Sequence, residues 1–215
     1  MKTLFVVPCR YNPVVRDCVR SIRTHEPDAK ILLVDSWSPD ESYLLSMDVD
    51  YVRRENCHYM TGAYQHGAHL RGFDRYAFIH DSLELTAPLS AWLPDDAPLG
   101  IVRFVDSVWG DPELNTFGRA ELARMGIDEP PDWWVVFGAM FFCDRATVDQ
   151  LHRLRWFDAK PVNKSQASAT ERTLGIALRH LGHNVREVPC AQGHHGGPDV
   201  PADESFVRKT FLDRA

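Results

Sequence analysis

Short apolar runs alternate along the chain with stretches whose apolar residues recur at helical spacing. Leu4-Phe5-Val6-Val7 is unbroken, β-branched and aromatic, and stops at Pro8. Such a run reads as a strand buried on both faces. Pro13 opens a predicted helix in which Val14, Val15, Cys18, Val19 and Ile22 share one face, while Arg16, Asp17, Arg20 and Arg23 take the other. Ile31-Leu32-Leu33-Val34 is a second buried strand, ending in the loop-like Asp35-Ser36-Trp37-Ser38-Pro39-Asp40. Tyr51-Val52 suggests a short third strand, and residues 61–73 a small-residue helix able to pack closely through Ala63, Ala68 and Leu70. Tyr76-Ala77-Phe78-Ile79 is a fourth strand that runs straight into His80-Asp81-Ser82.

The second half is less regular. Residues 101–104 read as a fifth strand, and 109–134, with Gly, Pro and acidic residues, as an irregular substrate-facing excursion. Residues 135–142 suggest a strand interrupted at Gly138. A helix is predicted over 169–181 through Leu174, Ala177, Leu178 and Leu181, closed by Gly182. Residues 185–188 suggest a last strand. The tail carries Phe206, Val207, Phe211 and Leu212 at helical spacing, which predicts a docking helix. Without repeats or linkers, the expectation is one α/β domain with a mostly parallel central sheet flanked by helices. Within it, residues 1–100 and 101–195 would form two halves, followed by a tail, 196–215.

In such a sheet ligands sit beyond the carboxyl ends of the strands. That geometry selects Arg10, Tyr11 and Asn12 after the first strand, residues 35–40 after the second, and His80, Asp81 and Ser82 after the fourth.

Composition narrows the chemistry. The 215 residues include 30 acidic and 24 basic side chains, a formal net charge of −6. That balance argues against a nucleic-acid role, which needs concentrated Lys and Arg. The five cysteines are odd in number, widely spaced and free of any C-x-x-C pair, as expected of thiols in a reducing cytoplasm. Four apolar residues near the N-terminus are too few for a signal peptide, and no run approaches the roughly 20 residues of a spanning helix. A cytoplasmic protein is expected, with peripheral membrane contact left open. The G-x-G-x-x-G, P-loop and G-x-S-x-G patterns are all absent. Acidic loops beside a phosphate site imply a bridging divalent cation, because bare carboxylates repel phosphate.

Four segments, VVPCRYNP, VDSWSPD, YAFIHDSLEL and ATERTLGIAL, together resemble the GT-A-fold glycosyltransferases, nearest to the inverting family 2 type. The resemblance implies that Pro8, Tyr11 and Asn12 line a nucleotide pocket and that Asp35 contacts base or ribose. Ser38 and Asp40 match the rest of that loop signature. It places the metal-binding D-x-D at the end of strand four, where Ser82 replaces the final Asp and leaves Asp81, with His80 and Glu84 nearby. It makes Glu171 the catalytic base, followed by Arg172 where an Asp is usual, and puts His194 or His195 at a further metal contact. The implied activity is metal-assisted, inverting transfer of a sugar from a nucleotide-diphosphate donor to an acceptor hydroxyl. The implied cofactor is Mn or Mg. The expected partners are a UDP-, GDP- or dTDP-linked sugar and a carbohydrate or lipid-linked acceptor, with no nucleic acid; a homodimer is left open.

Each residue also has a plainer reading. Ser168-Ala169-Thr170-Glu171 fits a capping box in which Glu171 only starts the helix. Asp35 and Asp40 suit turns, Asn12 suits a helix cap, and Trp109, Trp133 and Trp134 could stack on a sugar or simply pack. Two other functions stay open: a sugar-nucleotidyltransferase, disfavoured by a first loop without glycine, and a non-catalytic nucleotide-sugar binder.

Overall fold

The buried runs become neighbouring strands. β1 (Thr3–Cys9), β2 (Lys30–Asp35), β3 (Tyr51–Arg54) and β4 (Arg75–Phe78) pair in parallel in the order β3-β2-β1-β4. A computed structural model describes residues 1–10, 14–55, 58–89, 99–101, 109–133, 135–183, 185–188, 190–191 and 207–209. Beyond β4 the sheet continues through β7 (Phe141–Asp144), β6 (Leu99–Ile101) and β8 (Arg186–Glu187). β7 runs antiparallel to both β4 and β6, and β8 is parallel to β6. Among the described residues, one reversed strand therefore interrupts an otherwise parallel seven-stranded sheet. The mostly parallel α/β architecture expected from the sequence is present.

Alternate residues of each strand feed two apolar layers. Phe5, Val7, Ile31, Leu33, Ala77 and Phe142 face α1 (Val14–His25), α2 (Ser42–Leu45) and a small sheet. Leu4, Val6, Leu32, Val34, Phe78 and Phe141 face four helices: α3 (Tyr59–His69), α4 (Pro112–Met125), α5 (Arg145–Arg153) and α6 (Lys164–His180). Burial on both sides explains why these strands read as continuous apolar runs. Among the described residues, no helix is long and apolar enough to cross a membrane.

Several expectations are corrected. The 109–134 stretch contains the 14-residue helix α4, which starts where the Leu114 N–H donates to Asp111 Oδ1 at 2.9 Å and Pro112 takes the first turn. Leu114, Leu122 and Met125 bury its inner face. Trp109 and Trp133 pack together at 5.2 Å, and the Trp109 Nε1–H donates to Glu129 Oε1 at 2.7 Å, so both are core residues here. The strand expected at 135–142 is instead a single 3-10 turn at Phe137–Ala139 followed by β7. The late helix begins five residues before the predicted 169, at Lys164, capped by Asn163 Oδ1 accepting from the Gln166 N–H at 3.0 Å. The predicted tail helix gives way, in its described part, to strand β10 (Val207–Lys209). β10 pairs antiparallel with β5 (Leu83–Leu85) and parallel with β9 (Cys190–Ala191), an open strand edge outcompeting local helical spacing. Phe206, Phe211 and Leu212 lie outside the described residues.

Candidate functional site

The strand order reverses between β1 and β4, so their carboxyl ends flank the crevice where open α/β sheets bind ligands. The Ile79 N–H donates to Val6 O at 3.1 Å, prolonging the pairing one residue past β4 and delivering His80 and Asp81 into the crevice. Because β7 is antiparallel, its start meets the end of β4, with Phe78 opposite Phe141. The turn before β7 therefore lies beside His80. Gly138 has φ of 59°, and a Cβ there would sit 2.7 Å from His80 Cε1, so only glycine admits the imidazole at this distance. The Val136 N–H donates to the Glu171 carbonyl at 3.2 Å, which ties α6 to the same end of the sheet.

On the β2 side, Asp35 is wholly buried. Oδ1 accepts from the Tyr43 hydroxyl at 2.7 Å and from the Ser38 hydroxyl. Oδ2 accepts from the Ser38 N–H at 3.0 Å and from Arg54 Nε at 3.3 Å. Burial pushes the carboxyl pKa up, but the Ser38, Tyr43 and Arg54 donors outweigh it and hold the group below its ordinary value. The same burial, with a Cys9 contact, pushes the Tyr43 phenol far up. Asp35 thus organises the loop after β2. The exposed aromatic group there is Trp37, held at φ 55° with the Arg54 guanidinium 5.3 Å from its ring.

On the β4 side, Asp81 lies in the turn after the strand and Glu171 in the interior of α6; both are half-buried. Glu171 is seven residues past the helix start, which overturns the reading that it caps the helix; Asn163 does that. On α3, Tyr64 is wholly buried and within electrostatic reach of both carboxylates. Arg172 turns towards Gly110 and donates to Ser168 O at 2.9 Å; burial lowers its pKa, while Glu171 and Asp111 counteract this.

The other candidates are placed as follows. Pro8 is half-buried in β1 opposite Val34, and Arg10 is exposed at the bend beyond β1. Tyr11, Asn12, His194 and His195 lie outside the described residues, as does Trp134. Ser38 is buried on Asp35, and Asp40 makes an exposed turn, accepting from the Ser42 N–H at 2.8 Å. Glu84 leaves the crevice for the small sheet, where Arg208 Nη2 bonds it at 2.7 Å. Among the described residues, no three His, Cys, Asp or Glu side chains converge to hold a metal ion, so Asp81 alone does not build a cation site. Among the described residues, Cys9, Cys18 and Cys143 are buried thiols outside any disulfide.

Sequence reasoning passed over Tyr64 and Arg54 as site residues, and took Trp37 only as part of the loop 35–40. Tyr64 and Arg54 occupy ordinary helix and strand positions, and only sheet register brings Arg54 opposite Asp35. Trp37 offered a signal in being an aromatic residue within a polar loop.

No protein-family model matches the chain, and no curated protein matches it by sequence. Solved structures do match it in shape. S. aureus TarS, residues 1–349, superimposes with a TM-score of 0.54 at 10% identity, over 98% of this chain and 60% of that one. This chain thus spans about three fifths of the TarS fragment. CMP:2-keto-3-deoxy-manno-octonic acid synthetase complexed with CTP gives 0.50 at 12% identity, over 87% of this chain and 89% of that one. The galactosyltransferase LgtC in complex with donor and acceptor sugar analogs gives 0.50 at 10% identity, over 99% and 88%. At such identities the likeness is one of fold, and that fold is GT-A-like.

Proposed function

We propose that the chain is a glycosyltransferase that moves a sugar from a nucleotide-diphosphate donor to an acceptor hydroxyl with inversion. The observation that carries this reading is that the turn before β7 packs its Gly138 against His80, next to Asp81 at the end of β4, while its Val136 N–H bonds the Glu171 carbonyl at 3.2 Å. The fold supports it, being shared with a galactosyltransferase solved with donor and acceptor sugar analogs.

In this reading Glu171 is the general base. The acceptor oxygen attacks the anomeric carbon from the face opposite the leaving group, and its proton passes to the Glu171 carboxylate. The bond from that carbon to the phosphate oxygen breaks, and the nucleoside diphosphate departs with the electron pair. Residues 1–100 seat the donor: Arg10 meets its phosphates, and the Asp35-braced loop offers Trp37 to the base. Residues 101–195 seat a carbohydrate or lipid-linked acceptor. A divalent ion at Asp81 would need ligands beyond the described residues or from the donor's phosphates. Manganese titration of donor binding measures whether such an ion binds.

A panel of UDP-, GDP- and dTDP-linked sugars, assayed for diphosphate release with and without acceptor, tests the proposal. Acceptor-dependent release that disappears in Glu171→Gln supports it. A thermal shift with donor but no release would make the chain a binder. The likeness to the CTP-bound synthetase favours one competitor, nucleotidyl transfer. Pyrophosphate release from a nucleoside triphosphate and a sugar would establish that competitor instead.

A further inference from the structure

Tyr64 has no assigned task, yet its position is unusual. Its ring packs 5.0 Å from Phe78 and 6.3 Å from Phe141, and the side chain is wholly buried. The hydroxyl is buried with it and has no hydrogen-bond partner among the described residues. Buried hydroxyls are almost always bonded, and phenylalanine would fill the same space without an orphaned donor. The atom therefore serves something other than the stability of the unliganded fold. Its surroundings indicate what. α3 packs against α6, which carries Glu171, and the ring stands against the residue from which the chain runs on to Asp81. Burial first, then Glu171, then Asp81 raise the phenol pKa, so the group keeps its proton and can only donate towards them.

From this placement we propose that Tyr64 is a positioning residue for the transfer step, its O–H engaging the Glu171 carboxylate when donor and acceptor fill the crevice. The inference rests on Glu171 being the base. A hydrogen bond to an ionised carboxylate is short and directional. It would fix one Glu171 oxygen and turn the other towards the acceptor hydroxyl. Catalytic hydrogen bonds commonly tighten only once substrate is bound, consistent with the missing partner here.

The test compares the wild type with Tyr64→Phe, with Glu171→Asp, which retains a carboxylate and measurable turnover, and with the double variant. Tyr64→Phe is expected to melt at or above the wild-type temperature and to keep the donor KM. Its kcat should fall about tenfold to a hundredfold, the range for one hydrogen bond to a charged group. In the Glu171→Asp background the same change should cost little more, because both residues act through one contact. A lowered melting temperature, an unchanged kcat or losses that multiply in the double variant would overturn the inference. A wild type that releases no diphosphate from any donor overturns the base reading and this inference together. An active wild type matched by Tyr64→Phe overturns this inference alone.

Discussion

The Tyr43 hydroxyl donates to Asp35 Oδ1 at 2.7 Å, tying the short helix after β2 to the last residue of that strand. With Ser38 and Arg54 on the same carboxylate, the whole loop hangs from one buried group. An amide has one accepting atom and turns N–H groups towards the remaining donors. Asp35→Asn is therefore expected to lose about 3 kcal/mol in urea unfolding. Wild-type stability in that variant would show that the network does not brace the loop.

The loop's exposed tryptophan gives a different expectation. A left-handed tryptophan costs roughly 1–2 kcal/mol, which glycine would relieve, against the loss of the Arg54 contact. Trp37→Gly should leave stability within about 1 kcal/mol of wild type. Donor affinity by calorimetry should fall about tenfold, the lower range of base–aromatic stacking. Unchanged affinity would remove Trp37 from the donor site.

Acid stability can be worked out at Asp50, whose side chain is 18% exposed. Burial pushes its carboxyl up, but Lys30 at 2.7 Å, Arg23 at 2.8 Å and the Ile31 N–H outweigh this and hold it at about 2. A folded pKa below the unfolded value of about 3.9 gives stability that is present above that value and lost as pH falls towards about 2. Asp50→Asn should be about 2 kcal/mol less stable at neutral pH, the gap narrowing from about pH 4 downwards. A pH-independent gap would show that the pairing is not the cause.

α3 approaches β1 closely because Gly67 has no side chain: a Cβ there would meet Val6 Cγ1 at 2.8 Å. Val6 is β-branched and in the core, so it has little room to turn. Gly67→Ala is expected to destabilise by about 1–3 kcal/mol, read as a lowered denaturation midpoint. A neutral result would mean the helix can shift away at no cost.

The carboxylates of the crevice should separate binding from chemistry. Glu171→Gln should retain donor affinity yet lose about a hundredfold or more in kcat, the usual contribution of a general base. Asp81→Asn should weaken donor binding and abolish any dependence on manganese. Turnover that persists in the first variant, or manganese dependence that survives in the second, would reassign the residue.

The early strands were legible because two-sided burial leaves a run of apolar residues that needs no context to be read. The region around 109–134 misled, because Gly, Pro and acidic residues suggest a loop when they stand at its centre. At the ends of α4, Asp111, Pro112 and Gly126 are start and stop signals instead. The start of the late helix was misplaced for a similar reason: Ser168 and Glu171 have capping spacing, but Asn163 and Gln166 stand earlier and hold the cap. For the candidate site, strand ends pointed to Asp35 and Asp81, and resemblance to Glu171. Nothing local distinguishes Tyr64 or Arg54 from ordinary packing and surface residues.

The sequence by itself determined the parallel strands, the end of the sheet at which polar residues gather, and the acidic character of that end. Each follows from short-range pattern, and burial on two faces or one leaves its mark residue by residue. Only the tertiary structure decided that β7 runs backwards, bringing Gly138 against His80, and that β3 sets Arg54 beside Asp35. It alone buried the Tyr64 hydroxyl within electrostatic reach of Asp81 and Glu171. Those relationships join residues 17 to more than 100 positions apart, and their formation depends on strand register and helix packing, which no local spacing encodes.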